Sequence, residues 1–162
     1  MTVTRVDLTH VEVAAPLFAD YREFYGASHD VQAATAFLTE RLTREESIVL
    51  LARDGDEAVG FAQIYPSFTS VGLAPIWVLN DLFVADHARG SGAVDELLDT
   101  IVRMAAEAGA ASVKLSTAHT NTRAQAVYER HGYQLDQTYR SYAKSTASSS
   151  PAEKGTVHEQ ST

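Results

Sequence analysis

Apolar residues recur along the chain with two periods, and stretches of each period alternate. In four stretches they fall three or four positions apart, which predicts amphipathic helices: from about Thr9, from about Asp30, from Gly90 to Ala108, and from Asn121 to Gly132. Compact β-prone runs between them predict strands over Val3–Leu8, Ser47–Ala52, Val59–Tyr65, Ile76–Val84, Ser112–Thr117 and Tyr133–Tyr142. The order, β-α-α-β-β-β-α-β-α-β with room for a further strand, predicts a mixed α/β domain built around one sheet.

Polar residues at the element boundaries support this division. Thr9 and Glu12 have the spacing of a capping box, in which a hydroxyl and a carboxylate satisfy free amides at a helix start. Asn121 is a favourable N-cap for the last helix. Asp54-Gly55 is a strong hairpin signal between two β-prone runs.

Length and composition predict one folded domain with a short tail. The chain has 162 residues, of which 45% are hydrophobic, enough for one core. Residues 144–162 are rich in Ser and Thr and nearly lack large apolar side chains, so burial cannot offset the entropy of ordering them. We therefore expect a domain over residues 1–143 and a disordered tail over residues 144–162.

The absence of cysteine excludes disulfides, thiolate metal sites and cysteine nucleophiles. His10, His87, His131 and His158 lack ligand spacing, so no metal site is predicted. The first residues do not resemble a signal peptide, and no apolar run is long enough to span a bilayer. We expect a cytoplasmic protein with no membrane partner.

The net charge of −8 is unevenly distributed along the chain. Residues 1–75 carry 11 Asp and Glu against 5 Lys and Arg. An acidic surface repels nucleic acid and attracts cations, so no nucleic-acid partner is expected. The charge is explained either by solubility alone or by a site for a cationic substrate.

The segment Leu79–Ala93 carries the most chemical information. A strand ends there, and the turn Arg89-Gly90-Ser91-Gly92 opens a long helix. Bare amides at a helix start, together with the helix dipole, bind anions such as phosphate. The turn lacks the Lys of a Walker A loop and the third Gly of a dinucleotide fingerprint. By itself it is therefore either a tight turn or a phosphate site of another kind.

A second segment, Asn121–Tyr133, reads N-x-x-A-x-x-x-Y-x-x-x-G-Y. Together with Arg89-Gly90-Ser91-Gly92, it resembles the two acetyl-CoA motifs of the GNAT superfamily of N-acetyltransferases. The strand Leu79–Val84 resembles the strand that leads into that family's pyrophosphate loop, especially in the polyamine and thialysine branch. The resemblance covers about residues 76–142 and implies the GNAT acyl-CoA N-acyltransferase fold, β-α-α-β-β-β-α-β-α-β-β. Val94 departs from the motif, which usually has Gly or Ala there, and Asp95 adds negative charge.

The resemblance also implies how acetyl-CoA, the cosubstrate, is held. Backbone groups of the strand end would pair with the pantetheine arm, and the Val84 amide would donate to the thioester carbonyl. Amides of the turn and the first helical residues would bind the diphosphate, and the last helix would contact the rest of the molecule. The residues involved are Leu82, Phe83, Val84, Arg89, Gly90, Ser91, Gly92, Ala93, Val94, Asp95, Asn121, Ala124 and Tyr128.

Tyr128 matches the residue that protonates the departing thiolate in the family. A phenol with a pKa near ~10 can give a proton to a thiolate whose thiol has a pKa near ~8.5. The base is less determined, because Asn80 occupies the position of the family's strand Glu. A water relay near Asn80 and Asp81 is favoured, with His119 as the other candidate and a structural role for Asp81 left open.

Three functions remain open at this point. The first is acetylation of a small cationic amine by direct attack in a ternary complex. The second is acetylation of a protein lysine or N-terminus, and the third is a module that binds acyl-CoA without turnover. The resemblance also admits a homodimer, since dimers are frequent in such families.

Overall fold

A five-stranded sheet forms the centre of the structure, a computed structural model that describes residues 1–146. The strands are β1 (Thr2–Arg5), β2 (Ile48–Asp54), β3 (Glu57–Thr69), β4 (Ala74–Val84) and β5 (Val113–Leu115). They lie in chain order across the sheet. The first four pair antiparallel, and β5 pairs parallel to β4. A parallel pair needs a crossover connection, and the long third helix provides it.

The helices cover both faces of the sheet. These are α1 (Val11–Phe24), α2 (Val31–Thr43), α3 (Ala93–Glu107) and α4 (Thr122–Arg130). One core lies under α1 and α2, with Phe61 fully buried in it, and a second lies under α3, with Leu97, Leu98 and Ile101 fully buried. Because both faces are covered, the interior strand β2 is buried at five consecutive positions rather than at alternating ones.

Two features of β4 open the sheet on one side. Its ladder with β3 shifts register between Gln63 and Ile64, so that Asn80 is an extra, bulged residue between Leu79 and Asp81. The parallel ladder with β5 ends at the pair Leu79 and Leu115. Beyond that point β4 continues to Val84 with β3 on one side only. A gap, called the fork below, therefore lies beside β4 between Leu79 and Val84, where β5 no longer pairs with it.

The structure confirms the predicted mixed α/β fold class and the predicted order of elements through α4. The strands expected over Tyr133–Tyr142 do not form within residues 1–146. The Asp136 carboxylate instead accepts from the Thr138 and Tyr139 amides, a local turn that competes with extended pairing. Leu135, Tyr139 and Tyr142 are about four-fifths exposed or more, so no packing face orders this segment as a strand.

The boundary signals gave mixed results. Asn121 caps α4 as predicted, since its side chain accepts from the Ala124 amide at 3.1 Å. The capping box at Thr9 is wrong: α1 begins only at Val11, behind a 3-10 turn over Leu8–His10 that is capped by Asp7. Most of the predicted tail, residues 147–162, lies outside the described residues. Among residues 1–146, no helix has the length and apolar character needed to cross a membrane.

Candidate active site

The fork between β4 and β5 opens into a cleft of about 890 Å³. Its floor is the unpaired end of β4, and its walls come from the start of α3, the loop after β5, and α4. The end of α1 closes one extremity. The residues used below that line the cleft are Tyr21, Phe24, Tyr25, Asn80, Leu82, Phe83, Val84, Arg89, Gly90, Gly92, Ala93, Val94, Asp95, His119, Asn121, Arg123, Ala124, Tyr128 and Arg130.

The end of β4 presents unpaired backbone groups to this cleft. The Ala85 amide donates to the Val59 carbonyl of β3 at 2.9 Å, so Phe83, two residues earlier, also directs its backbone groups to β3. Leu82 and Val84 alternate with it and therefore direct their N–H and C=O groups to the fork. An extended ligand with amide groups can pair there like an additional strand.

The turn before α3 is built to receive an anion. Gly90 has φ 81° and Gly92 has φ 89°, a region that side chains with a Cβ rarely adopt. At both glycines the side that would carry a Cβ is open space, with no atom within 4 Å. Gly92 is the N-cap of α3, and no side chain caps the helix. The amides of its first turn are therefore available to a phosphate group.

Three arginines, Arg89, Arg123 and Arg130, line the cleft and bring positive charge to it. Arg89 pairs with Asp86 and Arg130 pairs with Asp95, so acidic neighbours offset part of that charge. Asp95, in the first turn of α3, is the acid that could repel a phosphate. Its carboxylate instead accepts from Arg130 and, at 2.7 Å, from the ring of His131. These two hydrogen bonds lower the pKa of Asp95 and offset its charge.

Tyr128 of α4 lines the cleft while much of its ring is packed against the core under α3. Burial, with the hydroxyls of Tyr25 and Tyr133 adding smaller effects, raises its pKa to about 12. The phenol is therefore neutral at physiological pH and keeps a proton to donate. Its neighbour Tyr133, whose ring centroid is 6.0 Å away, does not line the cleft.

Behind the bulge lies a buried carboxylate, Asp81, which is only 3% exposed and does not line the cleft. Three side chains donate to it. Gln63 bonds to Oδ2 at 2.9 Å, and the Asn80 amide lies 3.2 Å from Oδ1. The Tyr21 hydroxyl, which does line the cleft, is the third donor. Asp81 thus faces α1, on the opposite side of the sheet from α3.

The end of α1 supplies an aromatic wall. Tyr21, Phe24 and Tyr25 line the cleft, and the Tyr21 and Tyr25 ring centroids are 4.9 Å apart. Outside this wall, Asp20 and Glu23 lie with His29 in an exposed group whose ligand atoms fall within 4.8 Å of one another. The His29 ring pairs with Asp20 at 3.0 Å, which a surface ion pair explains.

The structure brings nearly all the sequence-predicted site residues to one cleft. Of the residues named for acetyl-CoA, only Ser91 does not line it, and of the three named for catalysis, only Asp81 does not. Two aromatic residues of β3, Tyr65 and Phe68, do not line it. Sequence reasoning missed Phe24, Arg123, Arg130 and Gln63. The two arginines occur seven positions apart on α4, a helical spacing that could have indicated one cationic face.

Comparisons with known proteins agree with this geometry. A sequence profile described as the Acetyltransferase (GNAT) family matches residues 14–133. The chain is 43% identical over 136 residues to a Bacillus subtilis (strain 168) protein described as the uncharacterized N-acetyltransferase YhfO, covering 84% of this chain and 91% of that one. It is also 34% identical over 80 residues to a D-amino-acid N-acetyltransferase of Saccharomyces cerevisiae, covering 49% of this chain and 50% of that one.

Solved structures give the same result at the level of the fold. The crystal structure of a probable acetyltransferase superposes with a TM-score of 0.86 at 39% identity, covering 92% of this chain and 100% of that one. An aminoglycoside acetyltransferase from an uncultured soil metagenomic sample superposes with a TM-score of 0.78, covering 90% of this chain and 96% of that one. Its identity of 14% makes it similar in fold alone.

Proposed function

The chain belongs to the GNAT family of acetyltransferases, and from that premise we propose that it transfers the acetyl group of acetyl-CoA to a primary amine of a small cationic molecule. Both substrates bind together, and the amine attacks the thioester directly. The observation that carries this proposal is the single cleft in which free strand-edge amides, an uncapped helix start and a buried phenol meet.

The proposed cofactor contacts follow the cleft from end to end. Leu82 and Val84 offer backbone groups to the pantetheine arm, and the Val84 amide donates to the thioester carbonyl oxygen, where negative charge develops. Phe83 contributes its side chain, since its backbone pairs with β3. The diphosphate takes the amides of the glycine turn and of Ala93, Val94 and Asp95, and Arg89, Asn121 and Ala124 border it. Val94 departs from the motif only in its side chain, so its backbone amide remains available to the diphosphate.

The opposite extremity of the cleft suits a cationic acceptor. Its aromatic wall of Tyr21, Phe24 and Tyr25 can hold an ammonium group by cation–π attraction. The carbonyl end of α1 carries partial negative charge, and Asp20 and Glu23 lie just outside. The two extremities therefore have opposite electrostatic character, cationic for the diphosphate and electron-rich for the amine.

The proposed reaction conserves every atom and proton. The ammonium first loses a proton on the side of Asn80 and Asp81, and the free amine then attacks the thioester carbon. The tetrahedral intermediate collapses with cleavage of the C–S bond. Tyr128 gives its proton to the thiolate and recovers one from the nitrogen of the new amide. The products are the N-acetylated amine, CoA and one proton released to solvent.

Amine-dependent release of CoA tests this proposal. The purified chain is incubated with acetyl-CoA and either a polyamine, an aminoglycoside, a D-amino acid, an L-amino acid, a lysine peptide or a peptide with a free N-terminus. Thiol release is followed together with mass spectrometry of the acceptor. We expect the polycationic small molecules to have the largest kcat/KM. A preference for either peptide would contradict the small-molecule assignment. CoA binding without thiol release from any amine would contradict catalysis.

Two further expectations concern the assembly and the location of the protein. A homodimer would be detected by light scattering as twice the mass of 17.6 kDa. A cytoplasmic location remains a prediction from the sequence, for which fractionation of cells is the test.

A further inference from the structure

Beyond the proposed reaction, the group that takes the ammonium proton can be identified from the polar side chains around Asp81. This step rests on the proposed function. Asp81 is the buried carboxylate beneath the bulge of β4, and it has no surface on the cleft. A group that cannot contact the amine can act on it only through another group.

Tyr21 is the side chain that connects the buried Asp81 carboxylate with the cleft. It lines the cleft, and its hydroxyl is hydrogen-bonded to the Asp81 carboxylate and also lies 3.5 Å from the Asn80 carbonyl oxygen. A hydroxyl that donates to a carboxylate keeps its lone pairs for a donor on its other side. An ammonium in the cleft is such a donor.

We propose that Asp81, acting through the Tyr21 hydroxyl, is the base of the reaction. The acceptor ammonium gives a proton to Tyr21 Oη while the Tyr21 proton moves to Asp81, so that one N–H bond breaks and one carboxyl O–H bond forms. The phenol is neutral before and after the transfer. The amine then has a free electron pair for attack, and Asp81 returns the proton to solvent between turnovers.

The surroundings of Asp81 fit this role. Burial next to the carboxylate raises the pKa of Tyr21 well above its usual value, so the group conducts protons without becoming a tyrosinate. Gln63 and Asn80 hold the carboxylate in place through their amide donors. Burial and, to a smaller extent, the charge of Asp81 raise the pKa of Tyr25 and of Tyr65, and the charge of Arg41 acts on the pKa of Tyr65 in the opposite direction.

The experiment compares Tyr21→Phe, Asp81→Asn and the double variant with Tyr65→Phe as a matched control. Tyr65 is a tyrosine close to the same carboxylate, but it does not line the cleft. The readouts are acetyl-CoA affinity, thermal unfolding, and kcat/KM against pH for amines of graded basicity. The affinity and unfolding measurements show whether each variant is folded and binds acetyl-CoA.

We expect each single variant to lose roughly 100-fold or more in kcat/KM near pH 7, with acetyl-CoA affinity unchanged within twofold. The double variant should be no slower than the slower single variant, because the two residues act as one unit. In the variants, log kcat/KM should rise by one per pH unit up to the pKa of the amine, since only free base reacts. The wild type and Tyr65→Phe should level off well below that pH.

Three results would overturn the relay. One is a wild-type rate and pH profile in Tyr21→Phe or in Asp81→Asn, and another is an equal loss in Tyr65→Phe. The third is additive losses in the double variant. If the wild type itself releases no thiol with any amine, the proposed function fails and the relay fails with it. Turnover by the wild type with unchanged variants contradicts the relay alone.

Discussion

In the proposed reaction, Tyr128 combines a largely buried ring with a position in the lining of the cleft. Burial raises its pKa to about 12, so the phenol is protonated at physiological pH. Only the neutral phenol has a proton to give to the departing thiolate, and burial keeps Tyr128 in that state. The residue is therefore suited to giving a proton to the leaving group before it takes one back.

Tyr128→Phe should lower kcat by roughly 100-fold, since it removes the proton donor to the leaving thiolate and little else. Acetyl-CoA affinity should stay within twofold, which equilibrium binding measures separately from turnover. Tyr133→Phe is the control, because its hydroxyl is buried without a hydrogen-bond partner in the described part of the chain and does not face the cleft. Equal losses in both variants would show that packing rather than proton transfer was removed.

Single residues were predictable where chemistry and local sequence coincide. Tyr128 and the turn at Gly90 and Gly92 carry motif spacing, so the sequence indicates them directly. The side of the sheet that Asp81 faces depends on a bulge in the ladder between β3 and β4. Local sequence does not show this bulge, because the ladder pairs one strand with another. Likewise, Asp7 rather than Thr9 caps the first turn. Both residues have capping chemistry, and only the backbone geometry selects between them.

At the scale of elements, the start of α3 combines an uncapped helix end with glycines in the left-handed region. Gly92→Glu should lower acetyl-CoA affinity by at least ~100-fold, because a carboxylate near a diphosphate costs roughly 4 kcal/mol at an effective dielectric of 20. Gly109→Glu places the same residue at the other end of α3, at φ 74°. Both variants should lose about 1 kcal/mol of stability from backbone strain, while only Gly92→Glu loses acetyl-CoA in calorimetric titration. Retained affinity in Gly92→Glu would place the diphosphate elsewhere.

The Asp95 carboxylate joins the start of α3 to the end of α4 through Arg130 and His131. Its pKa is lowered in the folded state, so its stabilisation is present above the pKa of the unfolded carboxyl, ~3.9, and disappears as pH falls through the folded value. Asp95→Asn should lower Tm by about 2 °C at pH 7, a small effect because the group is exposed.

The difference in Tm between wild type and Asp95→Asn should then shrink as the pH falls below about 4 and vanish below the folded pKa of Asp95. Glu107→Gln is the control on the same helix, because Glu107 pairs with Arg103 of its own helix at 3.2 Å and joins no second element. Its Tm should change by less than about 1 °C. A Tm difference for Asp95→Asn that is independent of pH would show that the carboxylate charge is not what joins the helices.

For the whole molecule, periodicity predicted the order and type of the elements through α4, because each face of the sheet is covered by a helix with one apolar side. It could not predict how far β5 runs beside β4, and that length opens the cleft. Nor could it predict that Leu135, Tyr139 and Tyr142 stay exposed, since β propensity gives a strand only where a partner edge and a packing face exist. The sequence motifs therefore predict which residues form the site, whereas the pairing of β4 with β5 determines where the cleft opens.

The most direct measurement is a crystal structure of the chain with acetyl-CoA. We expect the diphosphate within hydrogen-bond distance of the amides between Gly92 and Asp95, and the pantetheine arm paired with the free backbone groups of Leu82 and Val84. The thioester should then lie between Tyr128 and the aromatic end of α1. Acetyl-CoA bound outside the fork, or bound there with the strand edge unpaired, would contradict the account.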